Sequence, residues 1–277
     1  FISLWVLIVY VPVTHWVWGG GILSSWGTMD FAGGIVVHAT AGTAALITAL
    51  TLGKRRGFPK SITPPHSPIL TMIGAAMLWV GWFGFNAGSA LGANGGAGMA
   101  MLVTHISASM AALVWMFIEW KRFGKPSLIG VVTGMVAGLA TVTPASGYIG
   151  IPGGLVLGFS GGLLCYLAVD YIRGKLLIDD SLDVFAVHGV GGILGTLLVA
   201  FLATSTFSGL GLPEGQTAMS QFVVQIKAVI LTVIWTSIFT YLILKVTSLI
   251  VPLRVDEQEE IEGLDLRSHG EKGYHSD

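Results

Sequence analysis

Apolar residues run in long blocks along almost the whole chain, separated by short polar or charged stretches. Eight blocks lie near residues 1–20, 32–53, 68–91, 98–118, 128–143, 151–173, 183–203 and 219–248. A helix needs roughly 20 residues to cross the apolar layer of a bilayer. Seven blocks meet that length. The fifth is short and is expected to tilt little or to borrow the Thr143-Pro144 end. The pattern predicts an all-α, polytopic integral membrane protein with eight transmembrane helices within residues 1–251. Residues 252–277 change character: they are charged and polar, with Glu257, Glu259 and Glu260 close together, and are expected to form a tail that is helical at its start.

Composition sharpens this reading. Of 277 residues 53% are hydrophobic and only 10% charged, and the mean hydropathy is +0.78. A soluble domain carries roughly 25% charged residues, so this chain is too poor in charge to dress a water-facing surface. The net charge of −1 gives no field for nucleic acid. The single cysteine, Cys165, excludes an intrachain disulfide and a cysteine-rich metal site. The 39 glycines suit helices packed closely inside a membrane. The chain opens on Phe1 inside an apolar run, without a basic leader region or a small-residue cleavage site, so it does not read as a signal peptide. The natural protein is expected to begin earlier.

Basic residues set the orientation. Lys54, Arg55, Arg56 and Lys60 follow the second span, and Lys121, Arg122 and Lys125 the fourth. Arg173 and Lys175 follow the sixth, and Arg254 the eighth. The loops 20–31, 143–151 and 204–218 carry neither Lys nor Arg. All the basic clusters therefore fall on one side, expected to be the cytoplasm, together with residue 1 and the C-terminus.

One pattern occurs twice, 150 residues apart. Asp30, His38 and Gly42 stand in DFAGGIVVHATAG, and Asp180, His188 and Gly192 in DSLDVFAVHGVGG. The first copy precedes its span on the outer side, the second on the inner side. Such copies entering from opposite faces mark an inverted repeat, and transporters place their sites where two such repeats meet. An ionisable residue inside a membrane is costly and points to function. A histidine bonded singly to a neighbouring helix is the plainer alternative, and on pattern alone the two readings stand about level. No third ligand of suitable spacing suggests a metal. His105, which has no repeat partner, is expected to make a structural hydrogen bond.

Four stretches carry a resemblance. They are DFAGGIVVHATAG at 30–42, GWFGFNAGSAL at 81–91, LDVFAVHGVGG at 182–192 and LRVDEQEEIEGLDLRSHGEKGY at 253–274. The chain resembles, from end to end, the ammonium transporter, methylammonium permease and Rh superfamily, and is most similar to its bacterial-type transporter branch. The resemblance implies an eleven-helix subunit in a homotrimer with one pore per subunit, of which this chain would hold the fourth to eleventh helices. It implies ammonium or ammonia as substrate, methylammonium as an analogue, a lipid-embedded plasma or inner membrane protein, and no cofactor.

By the same resemblance Trp18 and Ser89 match an outer recruitment site, with Asp30 supporting it from behind. Phe85 matches one of two stacked gate phenylalanines, and Trp82 and Val184 line the pore. His38 and His188 match the family's twin histidines, and Asp180 and Asp183 have structural or coupling roles. Gly263, Leu264, Asp265, His269, Gly270, Glu271 and Tyr274 match a regulatory signature in the tail that couples neighbouring subunits and offers a surface to a PII-type signal protein. The family often has Asn-Leu-Pro after the histidine at 66, where this chain has Ser67-Pro68. Transport with ammonium deprotonated before passage is the expected function. The alternative is a sensor of the same fold that does not transport. An enzyme is not expected, since the spans offer no cysteine nucleophile or paired carboxylates beside the histidines.

Overall fold

The computed structural model describes residues 1–62 and 64–273. It is a helical bundle with seven helices long and apolar enough to cross a membrane: α1 (Ile2–Ser25), α2 (Gly34–Leu52), α3 (Pro68–Gly88), α4 (Gly95–Phe123), α6 (Ile151–Lys175), α7 (Phe185–Leu202) and α8 (Ala218–Ser248). Between α4 and α6 stands α5 (Leu128–Val142), of 15 residues. At 1.5 Å per residue it is about 22 Å long. It still runs the length of the bundle, since its two ends bond to opposite ends of it. Ser127, its N-cap, donates its N–H to the Glu119 carboxylate near the end of α4, whereas the carbonyl of Pro144, just past its C-terminus, accepts from Phe31 N in the loop before α2. Eight apolar helices thus stand where eight spans were expected, seven of them long enough to cross a membrane and one shorter. The short one is the most enclosed, with Gly130, Gly134 and Gly138 set against Glu119, Trp115 and Ser107 of α4. A helix surrounded by other helices needs no long lipid-facing flank.

Caps define the helix starts. Ser67 accepts from Leu70 N, Asn94 from Ala97 N and Ser127 from Gly130 N. Thr217 and Ser220 form a reciprocal capping box on α8. Pro68 stands at the first position of α3, where a missing N–H costs nothing. Bonds between segments bring the basic clusters to one end: Arg55 pairs with Asp179 at 3.2 Å, Arg122 with Asp170 at 2.5 Å, and Arg254 donates to the carbonyls of Leu52 and Lys54. At the other end Leu210 N bonds Tyr148 O, and Gln225 holds both the N–H and the carbonyl of Met29.

The tail starts as expected. Asp256 caps a short helix, α9 (Glu257–Glu262), and a π-helical turn, α10 (Asp265–His269), follows. Gly263 and Gly270 have φ of +90° and +66°, values that favour glycine, so these two positions set the turns that bound α10. Tyr274 lies outside the described residues.

Candidate functional site

The two copies of the repeated motif enter the bundle from opposite ends and meet at their histidines. His38 Nδ1 and His188 Nδ1 are 3.2 Å apart. Each histidine lies in a π-helical segment, Gly34–Ala39 at the start of α2 and Phe185–Gly189 at the start of α7. Single π turns inside longer helices recur at functional sites. Asp30 precedes the helix, and its carboxylate accepts the N–H groups of Gly33, Gly34, Ile35 and Val36 at 2.6–3.2 Å. A carboxylate bonded this way replaces the partners that the first turn lacks. Asp180 does the same for Val184 and Phe185 at 3.0 and 2.7 Å. Burial raises the Asp30 carboxyl above its ordinary range, and the four N–H donors oppose the rise.

Glycine spacing brings the two copies together. A Cβ on Gly42 would overlap the backbone of Gly189, and one on Gly192 would come 2.5 Å from His38 Cβ. The third member of each motif, four residues past its histidine, is thus where the partner helix crosses. That crossing is what sets the imidazoles against each other.

A groove of about 700 Å³ runs beside the pair, lined by Val37, Ala41, Met77, Leu78, Trp82, Phe85 and Val184 as well as both histidines. The Trp82 indole is stacked on His38 with centroids 5.3 Å apart, and Phe85 lies 6.1 Å from the same ring. Thr143, at the end of α5, joins them. Its Oγ1 accepts from Trp82 Nε1 at 3.0 Å and lies 3.3 Å from His38 Nε2. The sequence flagged Thr143 only as a helix end. A hydroxyl before a proline at the depth of the histidines was the available signal.

The outer residues are less closely gathered. Trp18 donates its indole N–H to the Asp30 carbonyl at 2.8 Å, so the Asp30 loop fixes its ring, which is 46% exposed. Ser89 donates to Phe85 O at 2.9 Å within its own helix. The groove beside the histidines is lined by neither Trp18 nor Ser89, and Trp18 lines a separate hollow with Tyr10, Val11, Thr14 and His15. The His105 ring, on an exposed face of α4, lies tilted against Trp79 at 5.2 Å and Phe83 at 6.2 Å, and among the described residues it has these ring contacts in place of the expected hydrogen bond.

At the basic end a second cavity, of about 530 Å³, is lined by Asp179, Asp180, Arg55, Arg254, Glu260 and Leu264 among others. Val184 lines this cavity and the histidine groove alike. Arg254 donates to the carbonyls of Leu52 and Lys54, and Glu260 accepts from Arg56 N. The tail is thereby clasped to the loop after α2. These bonds hold Glu260 below the usual carboxylate range, the Arg56 N–H foremost.

Asp183 has a φ of +55° and pairs with Arg173. Burial pushes its carboxyl up from the ordinary 3.8 to about 6, against the pull of Arg173. The folded chain thus holds this proton more tightly than the unfolded chain, so stability falls as pH rises between those two values. Asp183→Asn is expected to flatten the melting-temperature curve over that window. An unchanged slope in the variant would assign it to other groups.

The comparisons agree with this geometry. The model of the Ammonium Transporter Family matches residues 1–274. Ammonium transporter Amt1 of Archaeoglobus fulgidus is 48% identical over 98% of this chain and 69% of its own length. The ammonium transporter of Aquifex aeolicus is 47% identical over 99% of this chain and 64% of its own. Among solved structures, a Sensor Amt Protein superposes with a TM-score of 0.89 at 31% identity, over 96% of this chain and 68% of that one. Saccharomyces cerevisiae Mep2 gives 0.79 at 36% identity, over 91% and 60%. The chain spans about two thirds of the length of these curated relatives, which are named as transporters and not as enzymes. With its membrane-crossing helices and a match over nearly its whole length, the chain belongs to the ammonium transporter family.

Proposed function

We propose that the protein carries ammonium across the cell membrane by separating it into ammonia and a proton. The observation that carries this reading is the histidine pair, Nδ1 to Nδ1 at 3.2 Å, in a groove otherwise lined by apolar and aromatic side chains. Charge is the physical obstacle. Moving an ion of ammonium size into a low-dielectric medium costs of order 20 kcal/mol in the Born limit. Phe85, Trp82, Met77 and Leu78 cannot return that energy. Neutral ammonia avoids the cost. Ammonium first meets Trp18 and Ser89 at the outer mouth, where an aromatic face attracts a cation by about 2 kcal/mol when desolvated and a hydroxyl accepts an N–H. Asp30 supports that site by fixing the loop behind Trp18. Ammonia then passes Phe85 as a gate and Trp82, while His38 and His188 relay the proton. It leaves past Val184 toward the basic end, which is the cytoplasmic side. Potassium is refused because it has no proton to give up.

The protein acts as a homotrimer in the lipid bilayer with its C-terminus cytoplasmic, and methylammonium is carried as an analogue. Methylammonium uptake by a cell lacking its own ammonium transporters tests the reading. Uptake that saturates and is competed by ammonium supports it; a folded, membrane-inserted protein with no uptake supports a sensor instead. The latter reading has its own observation, the 0.89 superposition on a structure titled Sensor Amt Protein.

Residues 252–277 form a regulatory tail in this account. Gly263, Asp265, His269, Gly270, Glu271 and Tyr274 supply the surface that couples neighbouring subunits and receives a PII-type partner, and the Arg254–Glu260 clasp supports that docking. Arg254→Ala is expected to free residues 256–262, raising their amide hydrogen exchange at least about tenfold, since clasp and tail then open locally. Wild-type protection in the variant would mean the tail is held elsewhere. Deleting 256–277 without effect on transport or on response to a PII protein would remove the regulatory role.

A further inference from the structure

We propose that Thr143 sets the tautomer of the histidine pair, keeping a proton on Nε2 of His38 and on Nδ1 of His188; this rests on the relay reading above. Thr143 Oγ1 lies 2.7 Å from Leu139 O, 3.0 Å from Trp82 Nε1 and 3.3 Å from His38 Nε2. A hydroxyl offers one proton and two lone pairs, an indole N–H only donates and a carbonyl only accepts. Leu139 O therefore takes the hydroxyl proton, and Trp82 takes one lone pair. His38 Nε2 meets the other lone pair, which only an N–H satisfies. Neutral His38 then has a bare Nδ1, and the 3.2 Å bond between the rings is donated by His188 Nδ1. His188 keeps a bare Nε2. Both partners of this bond are buried, Thr143 at 0% and His38 at 3% exposure, so little solvent reaches it.

This tautomer is the one that an inward proton transfer leaves behind. Ammonium gives a proton to a bare His38 Nε2, breaking one N–H bond of the substrate and releasing ammonia. The His38 Nδ1 proton moves to His188 Nδ1, and the His188 Nε2 proton passes to water at the basic end. One proton enters and one leaves. His38 ends with Nε2–H and His188 with Nδ1–H, the arrangement Thr143 stabilises. Resetting the pair requires each imidazole to lose the proton on one nitrogen and gain one on the other, so that His38 again has a bare Nε2 and His188 a bare Nδ1; only then can the Thr143 hydroxyl turn from Leu139 O to donate to His38 Nε2. Thr143 is thus a positioning residue that makes the end state of each transfer the resting state.

Solid-state NMR of the protein in lipid bilayers, labelled with nitrogen-15 at histidine, reads the tautomers directly. The pair is recognised by coupling across its shared hydrogen bond, and His38 is assigned by the signals missing in His38→Asn. The expected wild-type pattern is Nε2–H with bare Nδ1 on His38, and the reverse on His188. Thr143→Val should turn His38 into a mixture of both tautomers, and Thr143→Ser should restore the single form. A wild-type His38 protonated at Nδ1, or a Thr143→Val variant with the wild-type pattern, would overturn the proposal. Should the valine variant not fold, the wild-type tautomer still decides. The predicted tautomers in a protein that passes no ammonium would leave the Thr143 assignment standing and defeat the relay instead.

Discussion

Replacing His38 by alanine is expected to cut ammonium transport at least about a hundredfold, or to open the pore to potassium, in a protein that still inserts and folds. Positioned acid–base groups contribute factors of roughly 10²–10⁴, and His38 is the member of the pair that touches most of the site. Its ring faces His188, Trp82, Phe85 and Thr143. Alanine removes the acceptor for the substrate's proton and leaves His188 Nδ1 without its partner. It also empties the space beside Trp82, through which water can then follow. With a continuous water file, an ion no longer needs to lose its hydration, and selectivity against potassium is lost. Either outcome agrees with the relay. A His38→Ala protein with wild-type rate and unchanged ammonium selectivity would rule it out. Radiotracer uptake of methylammonium, with potassium as competitor, separates the three cases.

The second large effect is expected at the glycines that cross behind the histidines. Gly192→Ala places a methyl group 2.5 Å from His38 Cβ and 2.9 Å from the Gly34 carbonyl. Gly42→Ala presses on the backbone of Gly189, where nothing flexible can yield. Overpacking of this kind costs about 1–3 kcal/mol, and the helices relieve it by moving apart at the depth of the imidazoles. A displacement well under 1 Å is enough to lengthen the inter-ring bond beyond its useful range. Both variants should therefore lose most transport while keeping most of their helix content. Gly84→Ala is the control, because a Cβ there meets nothing within 4 Å, and it should be close to neutral. Transport measured alongside circular dichroism and melting temperature decides. Wild-type transport in Gly192→Ala would show that the crossing does not position His38.

Much of this was legible in the sequence because the membrane imposes a strict code. Lipid demands long apolar helices, and positive charge collects on one side of them, so the spans and their alternation could be read from Lys54–Lys60, Lys121–Lys125 and Arg173–Lys175. The Asp-x7-His-x3-Gly repeat marked the two histidines that meet. Thr143 was not legible as a partner, since a bond between residues 105 positions apart depends on how α5 packs against α2. The π-helical turns at His38 and His188 were equally hidden, because the regular spacing of apolar residues predicts α-helix. They arise where a buried aspartate gathers the first N–H groups of each span. The clasp of Arg254 on the Leu52 and Lys54 carbonyls was invisible for the same reason as Thr143: it joins segments about 200 residues apart. Ser89, expected beside Trp18, instead bonds back to Phe85. A serine near a helix end has that local option whenever no substrate is present.

The most direct test of the central claim is electrical. The purified protein is placed in liposomes on a solid support, and the current evoked by an ammonium pulse is compared with that evoked by potassium at the same concentration. Separation of ammonium into ammonia and a relayed proton predicts an inward current for ammonium, none for potassium, and loss of the ammonium current in His38→Ala. A potassium current of similar size would contradict the account, since an ion that carries no proton would then be crossing the same groove.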